Sequence, residues 1–138
     1  MTMDWFAFQT GALNFILAFT LAVLFFAAFK YLYQLVTPYH ERELIRRGNT
    51  AAAVALGGAL LGYALPLASA LSQTVSLPEF AAWAVLAAVI QILAFLVVSR
   101  VLYRALASRI EAGELAAGVY LASISLGVGL LNAACMTA

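Results

Sequence analysis

Long hydrophobic runs dominate the chain, and charged residues lie only between or beside them. Residues 11–29, 50–77, 80–99 and 115–138 contain no Asp, Glu, Lys or Arg. A helix needs about 20 apolar residues to cross the hydrocarbon core of a bilayer, so each run is long enough to span it. The pattern predicts an all-α membrane protein with four transmembrane helices, numbered helix one to helix four, in a single integral domain over residues 1–138. Their predicted bounds are about 11–36, 50–77, 79–101 and 115–137.

Composition removes the alternative of a soluble fold. Of the 138 residues, 66% are hydrophobic and 9% are charged, whereas soluble domains average about 45–50% apolar and about 25% charged residues. A chain of this size cannot hide so much apolar surface from water. The single cysteine excludes an intrachain disulfide framework and a thiolate metal cluster. We therefore expect no nucleic-acid partner, no metal and no cofactor.

The seven basic residues predict the orientation of the helices. They flank the first and third loops: Lys30, Arg42, Arg46 and Arg47, then Arg100, Arg104 and Arg109. Because positively charged loops remain in the cytoplasm, these two loops are predicted to be cytoplasmic and both termini to lie outside it (N-out/C-out). A belt of tyrosines is expected at the inner membrane boundary: Tyr31, Tyr33, Tyr39 and Tyr103.

An internal repeat relates the two halves of the chain. Aligning residue n with residue n+65 places residues 45–65 on residues 110–130, and nine of the 21 aligned positions are identical. Biased composition alone explains about two such identities. We predict two helical-hairpin repeats, over about 11–77 and 79–138, that cross the membrane in the same direction and therefore have parallel topology.

Polar residues in the basic loops are predicted to start and stop helices. Thr37 and Pro38 suit the start of a short interfacial helix that runs to Arg47. Asn49 and Glu114 precede helices two and four, where a side-chain oxygen or a negative charge stabilises the helix N-terminus. We interpret both as helix caps, and a role in ligand binding is the alternative.

Small residues line one face of helix two and one face of helix four. Such faces let transmembrane backbones approach closely, because lipid provides no hydrophobic force between helices. The predicted packing positions are Gly58, Gly62, Pro66, Gly127 and Gly129. Helices two and four are therefore expected to form the inner pair of the bundle or a contact between subunits. Helix one, which carries five phenylalanines, is expected to face lipid.

The polar side chains deep in the predicted spans are uncharged. The absence of intramembrane Asp, Glu, Lys, Arg and His argues against a proton-coupled exporter, an intramembrane protease and a metal transporter. The candidate residues are Tyr63, Ser69, Gln91, Ser123, Ser125 and Asn132. They have two interpretations: interhelical hydrogen bonds, or the lining of a polar path in an oligomer.

Four motifs along the chain point to a known family. They are Thr37-Pro38-x-x-Glu41, Gly48-Asn49-Thr50, Leu60-Leu61-Gly62-Tyr63 and Leu131-Asn132-Ala133-Ala134-Cys135. In this combination, which covers nearly the whole chain after helix one, the sequence resembles the YjfL-like inner-membrane proteins, also called domain of unknown function 350 or uncharacterised protein family 0719. The resemblance implies a bacterial inner-membrane protein with two copies of a two-helix unit. It implies no catalytic residues.

Two functions follow as hypotheses, and neither is enzymatic. In the first, the protein acts by assembly in the membrane, as an envelope-stress or membrane-integrity component with a soluble partner. Loop residues would contact that cytoplasmic protein partner or anionic lipid: Arg42, Arg46, Arg47, Arg104 and Arg109. In the second, a homo-oligomer forms a channel or small-solute pore lined by helices two and four. Both hypotheses expect a homo-oligomer within the lipid bilayer.

Overall fold

The structure is a computed structural model that describes residues 2–137, and these residues form helices joined by short loops. The helices are α1 (Trp5–Val36), α2 (Glu41–Arg46), α3 (Thr50–Gln73), α4 (Leu77–Val97), α5 (Leu106–Glu111) and α6 (Leu115–Cys135). Four of them, α1, α3, α4 and α6, are long and apolar enough to cross a membrane. They confirm the prediction of an all-α protein with four long apolar helices.

The ends of the long helices differ from the predicted bounds by a few residues. α1 begins at Trp5 rather than near residue 11, because the Asp4 carboxylate accepts a hydrogen bond from the first turn at 3.2 Å. α3 ends at Gln73. Ser76 caps α4 by accepting a hydrogen bond from the Glu79 N–H at 3.3 Å. Residues 74–76, predicted to belong to helix two, therefore form the turn between α3 and α4, and Leu77 begins α4.

The end of α4 changes into a π-helical segment, Val98–Leu102. The Tyr103 N–H donates to the Val98 carbonyl, five residues earlier, at 2.8 Å. Such segments widen the helix locally and are frequent at functional sites. Because Arg100 lies within the segment, the wider turn sets where its side chain leaves the helix.

The centre of the fold is the contact between α3 and α6, the two helices rich in small residues. They share more contacts than any other two helices, and α1 and α4 pack around them. Ala51 of α3 lies against Gly118 of α6, and Gly62 lies against Gly129 farther along. The matching order of these contacts means that α3 and α6 run parallel. Together they form the inner pair of the bundle.

α1 lies at the edge of the bundle, and only its second half is packed. Phe15 is exposed, as expected of a lipid-facing helix. Phe29 is instead buried, and its ring stacks on Tyr63 with the centroids 4.3 Å apart. Tyr33 is buried against Phe95 with the ring centroids 5.0 Å apart. The expectation that all of helix one faces lipid is therefore wrong for this half, because lipid-facing and buried positions of a membrane helix are equally apolar.

The short helices α2 and α5 lie at one end of the bundle. We call it the basic end because it carries the six arginines of the chain: Arg42, Arg46, Arg47, Arg100, Arg104 and Arg109. A glycine follows each short helix in the left-handed region, with φ of 87° at Gly48 and 86° at Gly113, where a side chain would be strained. α2 begins at Glu41 rather than near Thr37. The prediction for Thr37 is wrong because its N–H closes the last turn of α1.

Candidate functional site

The seam between α3 and α6 needs glycine where a side chain has no room. A Cβ added at Gly58 would lie within 3.0 Å of Ala122. One added at Gly62 would lie within 3.0 Å of the Ser125 backbone, and one added at Gly129 would collide with the Gly62 carbonyl. Real Cβ atoms do not approach backbone so closely, and backbone cannot rotate away as a side chain can. The parallel helices therefore touch through their main chains, as small-residue membrane interfaces do.

Pro66 removes the helical hydrogen-bond donor of one carbonyl that lies in the seam. This proline lies inside α3 and is buried. Because proline has no N–H, the Gly62 carbonyl four residues earlier has no helical donor. That carbonyl oxygen lies against Gly129 of α6, where a Cα–H group is a weak replacement donor. The proline and the two glycines thus belong to a single contact.

Gln91 of α4 connects the seam to the outer part of the bundle. Its side chain is buried, and its Nε2 donates to the Ser125 carbonyl of α6 at 3.2 Å. Asn132 Nδ2 donates to the Ala87 carbonyl at 3.2 Å and to Gln91 Oε1 at 3.4 Å. Ser125 contributes its main chain rather than its hydroxyl to this network. These contacts join α4 to α6, which favours interhelical bonding over a polar path.

Two further candidate residues of α3 bond to different neighbours. The Tyr63 hydroxyl donates to the Ala84 carbonyl of α4 at 2.9 Å, and both ends of this bond are buried. The Ser69 hydroxyl donates to the Ala133 carbonyl of α6 at 3.2 Å. Four of the six polar candidates therefore use their side chains to fasten one long helix to another.

Two predicted positions lie away from these contacts. A Cβ added at Gly127 would meet nothing within 4 Å, so the predicted role in the inner pair is wrong, and a role in a contact between subunits stays a prediction. Two residues turn a helix by about 200°, which puts Gly127 on the opposite side from Gly129. Ser123 is exposed, and its hydroxyl donates to the Val119 carbonyl of its own helix at 2.8 Å. Its side chain forms no hydrogen bond to another helix of the described chain, so the interhelical-bond interpretation is wrong for Ser123, and its place on a path in an oligomer stays a prediction.

The two predicted caps differ from each other. Asn49 Oδ1 accepts from the Ala52 N–H at 3.0 Å, which caps α3. Its Nδ2 donates to the Ile110 carbonyl of α5 at 2.9 Å, so the same amide joins the two halves of the chain. Glu114 occupies the equivalent position before α6 but makes no capping bond. Its carboxylate pairs with Arg109 instead, so Glu114 lies at the predicted start of the helix, where its charge rather than a hydrogen bond acts on the helix N-terminus.

The arginines of the basic end fall into a paired set and an unpaired set. Glu43 bonds Arg46 at 2.6 Å and Arg47 at 3.0 Å, and Arg46 holds the pKa of Glu43 below its ordinary value. Arg109 pairs with Glu114. Within residues 2–137, three arginines have no carboxylate oxygen within 4.0 Å: Arg42, Arg100 and Arg104.

An acid–phenol cluster, formed by Tyr33, Tyr39 and Glu41, is buried where α1 meets α2. The three residues are at most 4% exposed. Neither phenol hydroxyl and neither carboxylate oxygen has a hydrogen-bond partner among the described residues. Burial raises the pKa of Glu41 to about 7. Burial also raises the pKa of Tyr39. Burial therefore favours the protonated, uncharged form of the Glu41 carboxyl group.

Sequence reasoning missed this cluster because it placed Glu41 in a short interfacial helix and predicted no buried role for it. Nothing in the hydrophobic pattern distinguishes Glu41 from its exposed neighbours His40 and Arg42. The available signal was the place of Glu41 in the family motif. Its burial depends on where α2 begins, and that start is set by the extended backbone that follows α1.

Comparison with protein families matches this architecture to one of them. The family model described as Domain of Unknown Function (DUF350) matches residues 7–136, which include nearly all of the four long helices. The chain belongs to the DUF350 family. The resemblance seen in the sequence motifs is thereby confirmed. No solved structure matches this DUF350 chain.

Two relatives show how far the similarity to other DUF350 proteins extends. "UPF0719 inner membrane protein YjfL" of Escherichia coli (strain K12) is 42% identical over 119 residues, which cover 86% of this chain and 89% of the relative. "UPF0719 transmembrane protein YshE" of Bacillus subtilis (strain 168) is 32% identical over 117 residues, which cover 84% of this chain and 87% of the relative. The DUF350 chain is accordingly a multi-pass membrane protein.

Proposed function

We propose that the protein acts by assembly in a bacterial inner membrane, as a closed helical bundle that presents its basic end to a soluble cytoplasmic partner. The observation that carries this proposal is the use of intramembrane polar side chains as fasteners between helices. Tyr63, Gln91 and Asn132 each donate to a carbonyl of a neighbouring helix. These groups hold the bundle together, and the charged groups available to a partner lie mainly at the basic end.

The proposed location rests on the name of a relative, and the proposed orientation rests on the positions of the basic residues. The YjfL relative is named an inner membrane protein, and cytoplasmic loops carry the excess of Lys and Arg in such membranes. The basic end is therefore proposed to be cytoplasmic, with both termini on the other side. A reporter fused after Ala138 tests this orientation. Activity of a cytoplasm-specific reporter at that position would overturn it.

The proposed internal repeat is supported by the arrangement of the two halves. Each half contributes one helix of the parallel inner pair, and each has a six-residue helix that is followed by a glycine with φ near 86°. Helices that are equivalent in two parallel repeats meet in this way around an axis along the membrane normal. We infer that the inner pair, α3 and α6, arose from one hairpin unit.

Assembly also requires a surface on which copies of the chain meet, and we propose the first half of α1. This half protrudes beyond the packed region, and Trp5, Phe8 and Phe15 are all more than half exposed. The molecular mass of the protein in nanodiscs, measured by light scattering, tests the proposal. A homo-oligomer is expected for the wild type, and a monomer for Phe8→Ser with Phe15→Ser. A monomeric wild type would contradict this surface.

The partner surface is proposed to be α2 and its flanks. Neutralising Arg42, Arg46 and Arg47 together should abolish binding of a soluble partner in a pull-down with the intact membrane protein. His40→Gln is the matched control, since it changes an exposed neighbour without removing an arginine. Unchanged binding by the triple variant would contradict the proposed surface.

The alternative function, a homo-oligomeric pore lined by α3 and α6, has weaker support. The small-residue faces that would line it are in contact with each other. The polar residues that would line it, Gln91 and Asn132, bond to each other and to helix carbonyls. A pore would therefore have to form between copies of the chain, and flux through liposomes distinguishes the two functions.

A further inference from the structure

Two cavities lie along α1 and α4, one between these helices and one at the basic end. The first, the α1–α4 groove, is an apolar cavity of about 540 Å³ whose lining includes Leu32, Val36, Ile92 and Leu93. The second, the basic pocket, is a cavity of about 300 Å³ lined by Pro38, Ser99, Arg100, Arg104 and Ala107. Neither cavity has a role in the proposed assembly.

Spacing along the chain puts the two cavities in line. Leu93 lines the groove, and Arg100, seven residues later, lines the pocket. Both positions belong to one continuous span, Leu77–Leu102, so Arg100 lies about 10 Å beyond Leu93 along the helix axis. On α1, the groove residue Val36 is followed two residues later by the pocket residue Pro38. The basic pocket therefore continues the groove beyond its apolar end.

The charge of the pocket selects the class of ligand. Arg100 and Arg104 have no carboxylate partner among the described residues, whereas Arg46, Arg47 and Arg109 are each paired with a glutamate. Arg104 Nε donates to the Arg100 carbonyl at 3.2 Å, which holds Arg104 beside the π-helical segment. Two unpaired guanidinium groups match the oxygens of a phosphate group, which they bind through charge-assisted hydrogen bonds.

We propose that the α1–α4 groove and the basic pocket form one binding site for an anionic phospholipid, with an acyl chain in the groove and the phosphate on Arg100 and Arg104. Basic pockets between transmembrane helices bind anionic headgroups in this way. A soluble phosphate would use the pocket alone and leave the groove without a role. The lipid site is separate from the partner surface proposed on α2, so lipid binding and partner binding can fail independently.

Native mass spectrometry of the full chain in maltoside micelles, titrated with phosphatidylglycerol or phosphatidylcholine, tests the site. The wild type is expected to bind one phosphatidylglycerol more tightly than phosphatidylcholine. Arg100→Gln with Arg104→Gln should weaken phosphatidylglycerol binding by at least about tenfold, or about 1.4 kcal/mol, because charge-assisted hydrogen bonds are lost. Ala28→Phe, which fills the groove from an exposed position on α1, should weaken the binding of both lipids.

A charge-matched variant distinguishes binding at the lipid site from a general attraction between the basic end and anionic lipid. Arg42→Gln with Arg47→Gln removes the same charge from the same end and should leave lipid affinity unchanged. Equal weakening by both arginine pairs would overturn the proposal.

Inorganic phosphate distinguishes the two sources of the phosphate group. Complete displacement of phosphatidylglycerol by phosphate, together with no effect of Ala28→Phe, would mean that the ligand is a soluble phosphate and would overturn the lipid site. Retention of phosphatidylglycerol in excess phosphate supports it. If Ala28→Phe does not fold, the two arginine pairs still decide the outcome.

Discussion

Replacing Glu41 by glutamine should remove most of the pH dependence of stability that the acid–phenol cluster creates. The Glu41 residue is 2% exposed, and neither of its carboxylate oxygens has a hydrogen-bond partner among the described residues. Glutamine has nearly the same size but carries no charge at any pH. The Glu41→Gln variant therefore isolates the free energy of ionising one buried carboxyl group.

The direction and size of the effect follow from the pKa. Burial raises the pKa of Glu41 from 4.5 to about 7. Below pH 4.5 the group is protonated in the folded and the unfolded state, and stability is highest. As the pH rises, the unfolded chain loses the proton first, so the free energy of unfolding falls until the folded carboxyl group ionises near pH 7. At about 1.4 kcal/mol for each pH unit between the two values, the total loss is about 3 kcal/mol.

Unfolding by SDS in maltoside micelles, followed by near-ultraviolet circular dichroism of the stacked aromatic rings, measures this loss. The wild type should lose about 2–3 kcal/mol of unfolding free energy between pH 5 and 8, and Glu41→Gln should lose little. His40→Gln is the control, because histidines as a class titrate in this range. The reasoning is refuted if Glu41→Gln keeps the wild-type decline, or if His40→Gln abolishes it.

Five further substitutions, at four positions, test the contacts between helices and the cap of α3. Gly129→Ala should destabilise the protein by about 1–3 kcal/mol in the same SDS titration, because the added Cβ meets the Gly62 carbonyl. Gly127→Ala should stabilise the protein by about 0.5–1 kcal/mol. Equal effects of the two variants would contradict the close contact between α3 and α6. Asn49→Ser, which keeps a capping oxygen and puts no carboxylate against the Ile110 carbonyl, should be about 1 kcal/mol more stable than Asn49→Ala, and identical thermal unfolding of the two variants would exclude the cap. Tyr63→Phe should cost about 0.6 kcal/mol, the average for an interhelical hydrogen bond in a membrane; no change in the SDS titration would show that this bond contributes nothing.

The long helices were predictable because length and hydrophobicity together determine what crosses a bilayer. The small-residue faces were also visible in the sequence, since Gly58 and Gly62 of α3 lie one helical turn apart. The rotation of each helix was not predictable to the same degree. Gly127 and Gly129 look alike in sequence, yet the helix geometry puts them on opposite sides. Only the position of the neighbouring helix decides which of the two packs.

Burial of aromatic and charged groups was the least predictable feature. Phe29 is buried and Phe15 is exposed, although both belong to the same apolar run. Lipid and protein interior are equally apolar, so hydrophobicity does not separate them. Glu41 is buried because α2 begins after an extended segment rather than at Thr37. That local backbone conformation has no signature in the hydrophobic pattern.

The central claim is that the polar side chains within the membrane fasten helices together and do not line a path. Ion flux into liposomes that contain the purified protein tests this claim most directly. The account predicts no flux above that of protein-free liposomes, at either polarity of the membrane potential and at acidic or neutral pH. Flux through the wild-type protein that Gln91→Leu or Asn132→Leu abolishes would contradict it.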